Sequence, residues 1–277
     1  MTTATEAFAP AKINLTLHVT GQRSDGYHLL DSLVVFADIG DRLLLTPGPD
    51  MHIDVTGLFA DGVPTDASNL VWKALKSAGW TGHVALHKNL PHGAGIGGGS
   101  ADAAAVLRSI FGDDVHRGIG LENTLALGAD VPVCLHTGPQ RMHGIGEGLI
   151  RVRPVPRLHL VLVNPNVTLP TPNVFKALKH RSNSAMDHCD GWPSYDRFLD
   201  WLRQQRNDLE PPAQTVAPVI RDVLAALSDA ALARMSGSGA TCFGIYPDKI
   251  TALVAQDRIA GTHPNWWVTT CETVGRA

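Results

Sequence analysis

Five glycines fall within the seven positions Gly93 to Gly99, inside the stretch "PHGAGIGGGSADAAAVL" (residues 91–107). Glycine loses more conformational freedom on folding than any other residue. A dense run is therefore expected where the backbone must take positive φ or approach another group closely. The flanks narrow the choice. "GHVALHKNLP" reads as a strand, and "SADAAAVLRSIFG" consists of strong helix formers closed by Gly112. A glycine loop that leads a strand into a helix is an anion site, because unpaired amides and the helix dipole face the same point. A tight turn or linker is the plainer alternative.

Phosphate-binding patterns compete for this loop. Gly93 to Gly98 matches G-x-G-x-x-G, but a dinucleotide fold needs an apolar strand after the helix, and the polar "GDDVHRGIG" follows instead. The P-loop pattern needs a lysine where Gly99 stands. Protein-kinase D-F-G and H-R-D signatures are absent from the sequence.

The rest of the chain predicts an α+β protein. In "AKINLTLHV", Ile13, Leu15, Leu17 and Val19 alternate with Lys12, Asn14, Thr16 and His18, the mark of a strand with one buried and one polar face. "HLLDSLVVFADIGDRLLLTP" gives one or two strands, and "DASNLVWKALKSAG" a helix with an apolar stripe. "GLENTLALGADVPVCLHTG" reads as a short helix, a turn at Gly128 and a strand. Pro154, Pro156 and Pro165 flank the strand 158–163, which places a domain boundary near residue 155: an N-terminal domain over 1–154 and a C-terminal one over 155–277. "SYDRFLDWLRQQ" and "APVIRDVLAALSD" read as amphipathic helices. "ARMSGSGATCFGIYP" is a glycine-rich loop entering a strand, and "WWVTTCETV" a last strand.

Composition excludes several classes. A net charge of −3 gives no reason to expect nucleic acid or a membrane surface as partner. Cys134, Cys189, Cys242 and Cys271 lack C-x-x-C spacing, which argues against zinc and fits a reducing cytoplasm. The 13 histidines include no H-E-x-x-H pair. No secretory signal or membrane span is read, so a cytoplasmic location is expected.

Three segments, in order, resemble the GHMP kinases: "PAKINLTL" at 10–17, the glycine loop with its helix, and "MSGSGATCFGIY" at 235–246. "DGYHLLDSL", "LGADVPVCL" and "TPNVFK" narrow the likeness to the branch that phosphorylates the C2 hydroxyl of a cytidine-diphosphate-linked sugar alcohol. The resemblance implies a two-domain fold, with an N-terminal half like ribosomal S5 domain 2, a ferredoxin-like C-terminal half, and the active site in the cleft. It implies ATP and Mg²⁺ as cofactors and a monomer or weak homodimer.

It also implies roles. Asp130 is the catalytic base, with a turn-capping aspartate as the plain alternative. Lys12 stabilises its charge, where a solvated strand lysine is the default. Asn14, on the same face, touches the same ligand. Pro91, His92, Gly93, Ala94, Gly95, Ile96, Gly97, Gly98, Gly99, Ser100 and Ala101 wrap the ATP phosphates, and Asn69 approaches the adenine unless it only caps a helix. Tyr27 and Phe175 sandwich the cytosine, His28 bonds its edge, and Thr171 lies near the same pocket. The family usually reads G-G-G-S-S; here Ala101 replaces the second serine, which removes one hydroxyl near the phosphates. No acidic cluster announces a protein-made Mg²⁺ site, so its ligands are not assigned. A homoserine or mevalonate kinase, a catalytically silent nucleotide-binding regulator and, on the weak fingerprint alone, an NAD(P)-binding oxidoreductase are the alternatives.

Overall fold

The computed structural model describes residues 3–153, 155–187 and 191–274. The first elements are strands β1 (Thr5–Asn14), β2 (His18–Gln22), β3 (His28–Pro47) and β4 (His52–Thr56). Helix α1 (Leu70–Ser77), strand β5 (Gly82–His87) and helix α2 (Gly98–Phe111) follow. Three short helices come next: α3 (Val115–Ile119), α4 (Leu121–Leu127) and α5 (Val131–Cys134). Strands β6 (Gln140–Gly144), β7 (Gly148–Arg151) and β8 (His159–Asn164) precede helices α6 (Thr171–Lys176), α7 (Tyr195–Gln204), α8 (Glu210–Val216) and α9 (Val219–Ala226). The last elements are β9 (Leu232–Met235), β10 (Cys242–Tyr246), α10 (Lys249–Thr262) and β11 (Trp267–Glu272). The protein is α+β, as the sequence predicts. No helix among the described residues is long and apolar enough to cross a membrane.

Two compact units share the chain. The first holds the residues up to Lys12, Ile39–His92 and Gly97–Thr137; the second holds Ile13–Asp38, Gly93–Ile96 and the chain from Gly138 on. The boundary expected at 154/155 falls at Pro154, which lies outside the described residues.

In the first unit, β5 pairs antiparallel with the C-terminal half of β3 and parallel with β4. Helix α2 buries Ala101 and the run from Ala103 to Leu107. Alanines let a helix pack closely on nearly every side. "DVPVC" departs from the expected strand. Pro132 sits in the first turn of α5, where its missing N–H costs nothing, and the segment is helical.

The second unit contains the antiparallel sheet β11-β8-β10-β9. Central β8 is buried on both faces, so it reads as the unbroken run "LVLV". In the same unit β2 and β6 pair with the N-terminal half of β3. The expected polar face of "AKINLTLHV" is not solvated: Lys12, Asn14, Thr16 and His18 are all buried. Burial demands partners, and they are present. The Thr16 hydroxyl accepts from the Leu33 amide at 2.8 Å. His18 Nδ1 lies 3.2 Å from the Ser184 carbonyl, while its Nε2 accepts from the Arg206 amide at 3.2 Å. A carbonyl only accepts and an amide only donates, so His18 is the neutral Nδ1–H tautomer. Burial and the nearby Arg206 hold its pKa below the ordinary value. Cys134, Cys242 and Cys271 are free, buried thiols, and Cys189 lies outside the described residues.

One buried charge cluster anchors α2 in the first unit. Lys88, just past β5, donates to Asp41 on β3 and, at 2.7 Å, to Asp102 on α2. Asp41 also accepts from the Asn89 and Leu90 amides at 2.6 and 2.9 Å. Two carboxylates thus share one ammonium, and Asp102 Oδ1 has no partner among the described residues. Burial, reinforced by Asp41, pushes the Asp102 carboxyl up to about 7 against the pull of Lys88. Burial alone would lower the Lys88 pKa, but its two carboxylate neighbours outweigh that and raise it.

The raised Asp102 value sets a sign. The folded state keeps a proton that the unfolded chain, with an ordinary carboxyl near 4, has released. This contribution to stability is full below about pH 4 and is lost as pH rises through about 7. Asp102→Asn keeps the shape and removes the titration. Urea unfolding at pH 4, 5.5 and 7 should therefore show the variant's stability relative to the parent improving as pH rises. A difference independent of pH would refute the assignment.

Candidate functional site

In the first unit, Lys12 Nζ donates to Asp130 Oδ2 at 2.7 Å. The lysine is buried, whereas the Asp130 side chain is 37% exposed. This charge-assisted bond fixes the carboxylate and leaves it open to solvent on one side. Asp130 directly precedes α5, not a strand as expected, so the Gly128 turn and the start of α5 aim it. Gly97 caps α2 in the left-handed region, at φ 67°, with no side-chain cap. A Cβ there would stand 3.1 Å from Lys12 Cβ and 3.3 Å from its Cε, so glycine is what lets the helix begin against this lysine. A Cβ on Gly128 would stand 4.0 Å from Ser100 Oγ. Lys12, Asp130, Gly97 and Ser100 therefore share one corner. It combines a carboxylate, an ammonium, the free amides of a 14-residue helix's first turn and a hydroxyl.

Asn69 caps α1. Its Oδ1 accepts from the Val71 amide at 2.8 Å and its Nδ2 donates to the Pro64 carbonyl at 2.6 Å. The capping role read from the sequence is thus present. Ala101 is buried in α2, so its methyl faces the interior.

In the second unit, Gly93–Ile96 lies on the loop that leads into β10. Gly95 has φ 75°, and a Cβ on it would collide with the carbonyl oxygens of Ser236 and Gly239. Ser236 Oγ donates to the Gly95 carbonyl at 2.9 Å, and the Thr241 amide to the Ala94 carbonyl at 3.0 Å. Asn207 Nδ2 holds the same loop through the Met235 and Gly237 carbonyls, at 2.7 and 2.9 Å. Ala94, Ile96 and Pro91 are buried, while His92 and Gly93 are exposed.

The Asn14 amide N–H donates to Ser236 Oγ at 3.1 Å, and its Nδ2 donates to Ser32 Oγ at 2.7 Å. Asn14 Oδ1 is buried without a partner among the described residues. His28 and Phe175 stack, with centroids 4.7 Å apart and planes 23° from parallel. His28 Nε2 is likewise buried and unpartnered. Burial, and then Arg181, keeps the His28 pKa below the ordinary value, so the imidazole is neutral near pH 7. Thr171 and Phe175 lie four apart on α6, on one helix face. The Thr171 and Ser238 hydroxyls are 2.8 Å apart. Tyr27 stands in the turn closed by the Arg23 amide to the Tyr27 carbonyl, and is 60% exposed. The structure thus places Phe175 on His28, with Tyr27 outside that pair.

Sequence reasoning missed Ser32, Ser236, Ser238 and Asn207, which brace these groups, and the cluster of Asp41, Lys88 and Asp102. Asp102 had a visible signal, an acidic residue inside an alanine helix. Ser236 and Ser238 also had one, since both lie in the glycine-rich motif "MSGSGATCFGIY", whereas Ser32 and Asn207 had none.

Comparison with known proteins identifies the family. The model of the GHMP kinases N terminal domain matches residues 69–138, and that of the GHMP kinases C terminal matches residues 187–265. A 4-diphosphocytidyl-2-C-methyl-D-erythritol kinase of Dinoroseobacter shibae is 53% identical over 266 residues, covering 94% of this chain and 92% of that one. One of Paracoccus denitrificans is 51% identical over 263 residues, covering 94% and 93%. A crystal structure of 4-(cytidine 5'-diphospho)-2C-methyl-D-erythritol kinase superposes with TM-score 0.74 at 30% identity, covering 99% of this chain and all of that one. A homoserine kinase from Cytophaga hutchinsonii superposes with TM-score 0.70 at 17% identity, over 98% and 95%, which is a likeness of fold. Matched by both family models and half identical to such relatives across nearly its whole length, the chain belongs to the GHMP kinase family.

Proposed function

We propose that this protein transfers the γ-phosphoryl group of ATP to the C2 hydroxyl of 4-diphosphocytidyl-2-C-methyl-D-erythritol, in the non-mevalonate isoprenoid route. The names and near full-length identity of its relatives support this substrate. The observation that carries the chemistry is the half-open Lys12–Asp130 pair beside the α2 N-terminus.

Asp130 accepts the hydroxyl proton as the substrate oxygen bonds to the γ-phosphorus. The bond from that phosphorus to the bridging oxygen breaks, and ADP leaves. Lys12 orients the carboxylate and offsets negative charge developing in the transition state. The amides of Gly97–Ser100 and the Ser100 hydroxyl hold triphosphate oxygens, with the loop from Pro91 to Ala101 around them. Asn69 approaches the adenine. Mg²⁺ is a hard cation suited to phosphate oxygens and water, and Ser100 Oγ and the Asp130 carboxylate are oxygen donors compatible with it. When bound, it neutralises charge on the β- and γ-phosphates.

His28, Phe175, Tyr27, Thr171 and Asn14 are assigned to the cytidyl substrate. A neutral His28 bonds the base edge and Phe175 offers its face. Two orphaned buried polar atoms, His28 Nε2 and Asn14 Oδ1, fall within this set, as expected of atoms kept for a ligand. Homoserine and mevalonate carry no ring to engage His28 and Phe175, which disfavours those substrates. We further assign the protein to the cytoplasm, as a monomer or weak homodimer.

Purified protein with ATP and Mg²⁺ should turn over only when the cytidyl substrate is present. Turnover with homoserine or mevalonate instead would overturn the assignment. Asp130→Asn should lower kcat by about 10²–10⁴-fold with little change in the KM for ATP; an undiminished kcat removes Asp130 as base. Phe175→Ala should raise the KM for the cytidyl substrate by about tenfold or more, the scale of one lost base stack. A rise confined to ATP would move Phe175 to the other ligand.

A further inference from the structure

Parallel strands β4 and β5 set His52 directly opposite His83. Side chains in register on neighbouring strands share a face of the sheet, and Asp54, two residues along β4, projects from that same face. His52 Nε2 lies 3.0 Å from Asp54 Oδ1, and His83 Nε2 lies 2.8 Å from Asp54 Oδ2. The two imidazoles are 5.5 Å apart, centroid to centroid, and tilted by 28°. One carboxylate thus gathers two Nε2 atoms. All the ligand atoms lie within 4.8 Å of one another, and all three side chains are open to solvent.

We propose that His52, Asp54 and His83 form a binding site for a divalent first-row transition cation of the Zn²⁺, Ni²⁺ or Cu²⁺ kind. A tetrahedral centre with bonds of about 2.0–2.1 Å needs ligand atoms roughly 3.3 Å apart. The observed spread reaches that geometry by small rotations of exposed side chains. The strand ladder fixes the two histidine backbones, so little order is lost on binding. Two imidazole nitrogens and one carboxylate oxygen suit borderline cations, whereas Mg²⁺ and Ca²⁺ prefer all-oxygen shells. Water completes the shell on the solvent side. None of the three residues belongs to the phosphoryl-transfer machinery proposed above, so the site stands independently of that reading.

Equilibrium dialysis of the full chain against ZnCl₂ tests this. The expected result is an equivalent of Zn²⁺ bound by the parent and lost, or weakened at least tenfold, in His52→Ala, His83→Ala and Asp54→Asn. The control His87→Ala, further along β5, should bind as the parent does. All the variants should keep the parent's far-UV circular dichroism and melting temperature measured without metal. Zn²⁺ uptake by the His52→Ala/His83→Ala double variant equal to the parent's would overturn the proposal, as would no uptake by the parent.

Discussion

A lysine ammonium taken out of water must find carboxylates, and the first unit does this twice at the start of one helix. Lys12 and Lys88 are each only 3% exposed. Adjacent glycines receive them. Gly97 lies against the Lys12 side chain, and a Cβ on Gly98 would stand 3.6 Å from Lys88 Nζ. Removing one partner of a buried pair leaves an uncompensated charge, commonly at 3–5 kcal/mol, so both arrangements constrain this corner strongly. They differ in closure. Lys88 is enclosed by Asp41 and Asp102, which are themselves buried, and it fastens α2 to β3 and to the end of β5. Lys12 faces Asp130, which stays open on one side. The same chemistry makes a closed clamp in one case and a solvent-open carboxylate in the other.

Much of this was legible in the sequence where pattern and physics coincide. The helix after the glycine loop, its stop at Gly112, the α1 stripe and the apolar β8 all follow from periodicity and capping. Alternation failed at "AKINLTLHV" because it reports side-chain polarity, not exposure; internal hydrogen bonds allow both faces to be buried. "VPVCL" reads as a strand because it is a short, continuously apolar run, which periodicity alone cannot tell from a buried helix; the proline sits in the first turn of the four-residue helix found there. Helix α10 escaped notice for a different reason. Ala252, Ala255 and Ile259 face the core, yet Ile250, Leu253 and Val254 are exposed, so no apolar stripe stands out.

The candidate site was legible as residue types, and the Lys12–Asp130 partnership only through the family resemblance. Lys12 and Asp130 are 118 positions apart, and nothing local indicates that they touch. The stacking of His28 on Phe175 likewise depends on tertiary structure. On the proposed reading, the ring pair is already in contact and keeps an unsatisfied nitrogen for the base. Such a pair would limit the ordering cost of binding, because the two rings constrain each other beforehand. Neutrality of the imidazole adds to this, since a neutral ring can present either a donor or an acceptor to the base edge.

Ala101 stands where the resemblance leads one to expect a second serine in the glycine loop, and it is buried. A hydroxyl at that position would start from a buried Cβ on the packed side of α2 and would need its own partner there. The groups suited to phosphate are on the other side of the turn. They are the amides at Gly98, Gly99 and Ser100 and the Ser100 hydroxyl, which Gly97 frees by capping the helix in the left-handed region. Anion binding at a helix start draws mainly on backbone amides and dipole. An alanine at 101 therefore avoids a polar atom that is costly to bury, packs closely, and leaves the amides of the α2 first turn unchanged for the phosphate role proposed above.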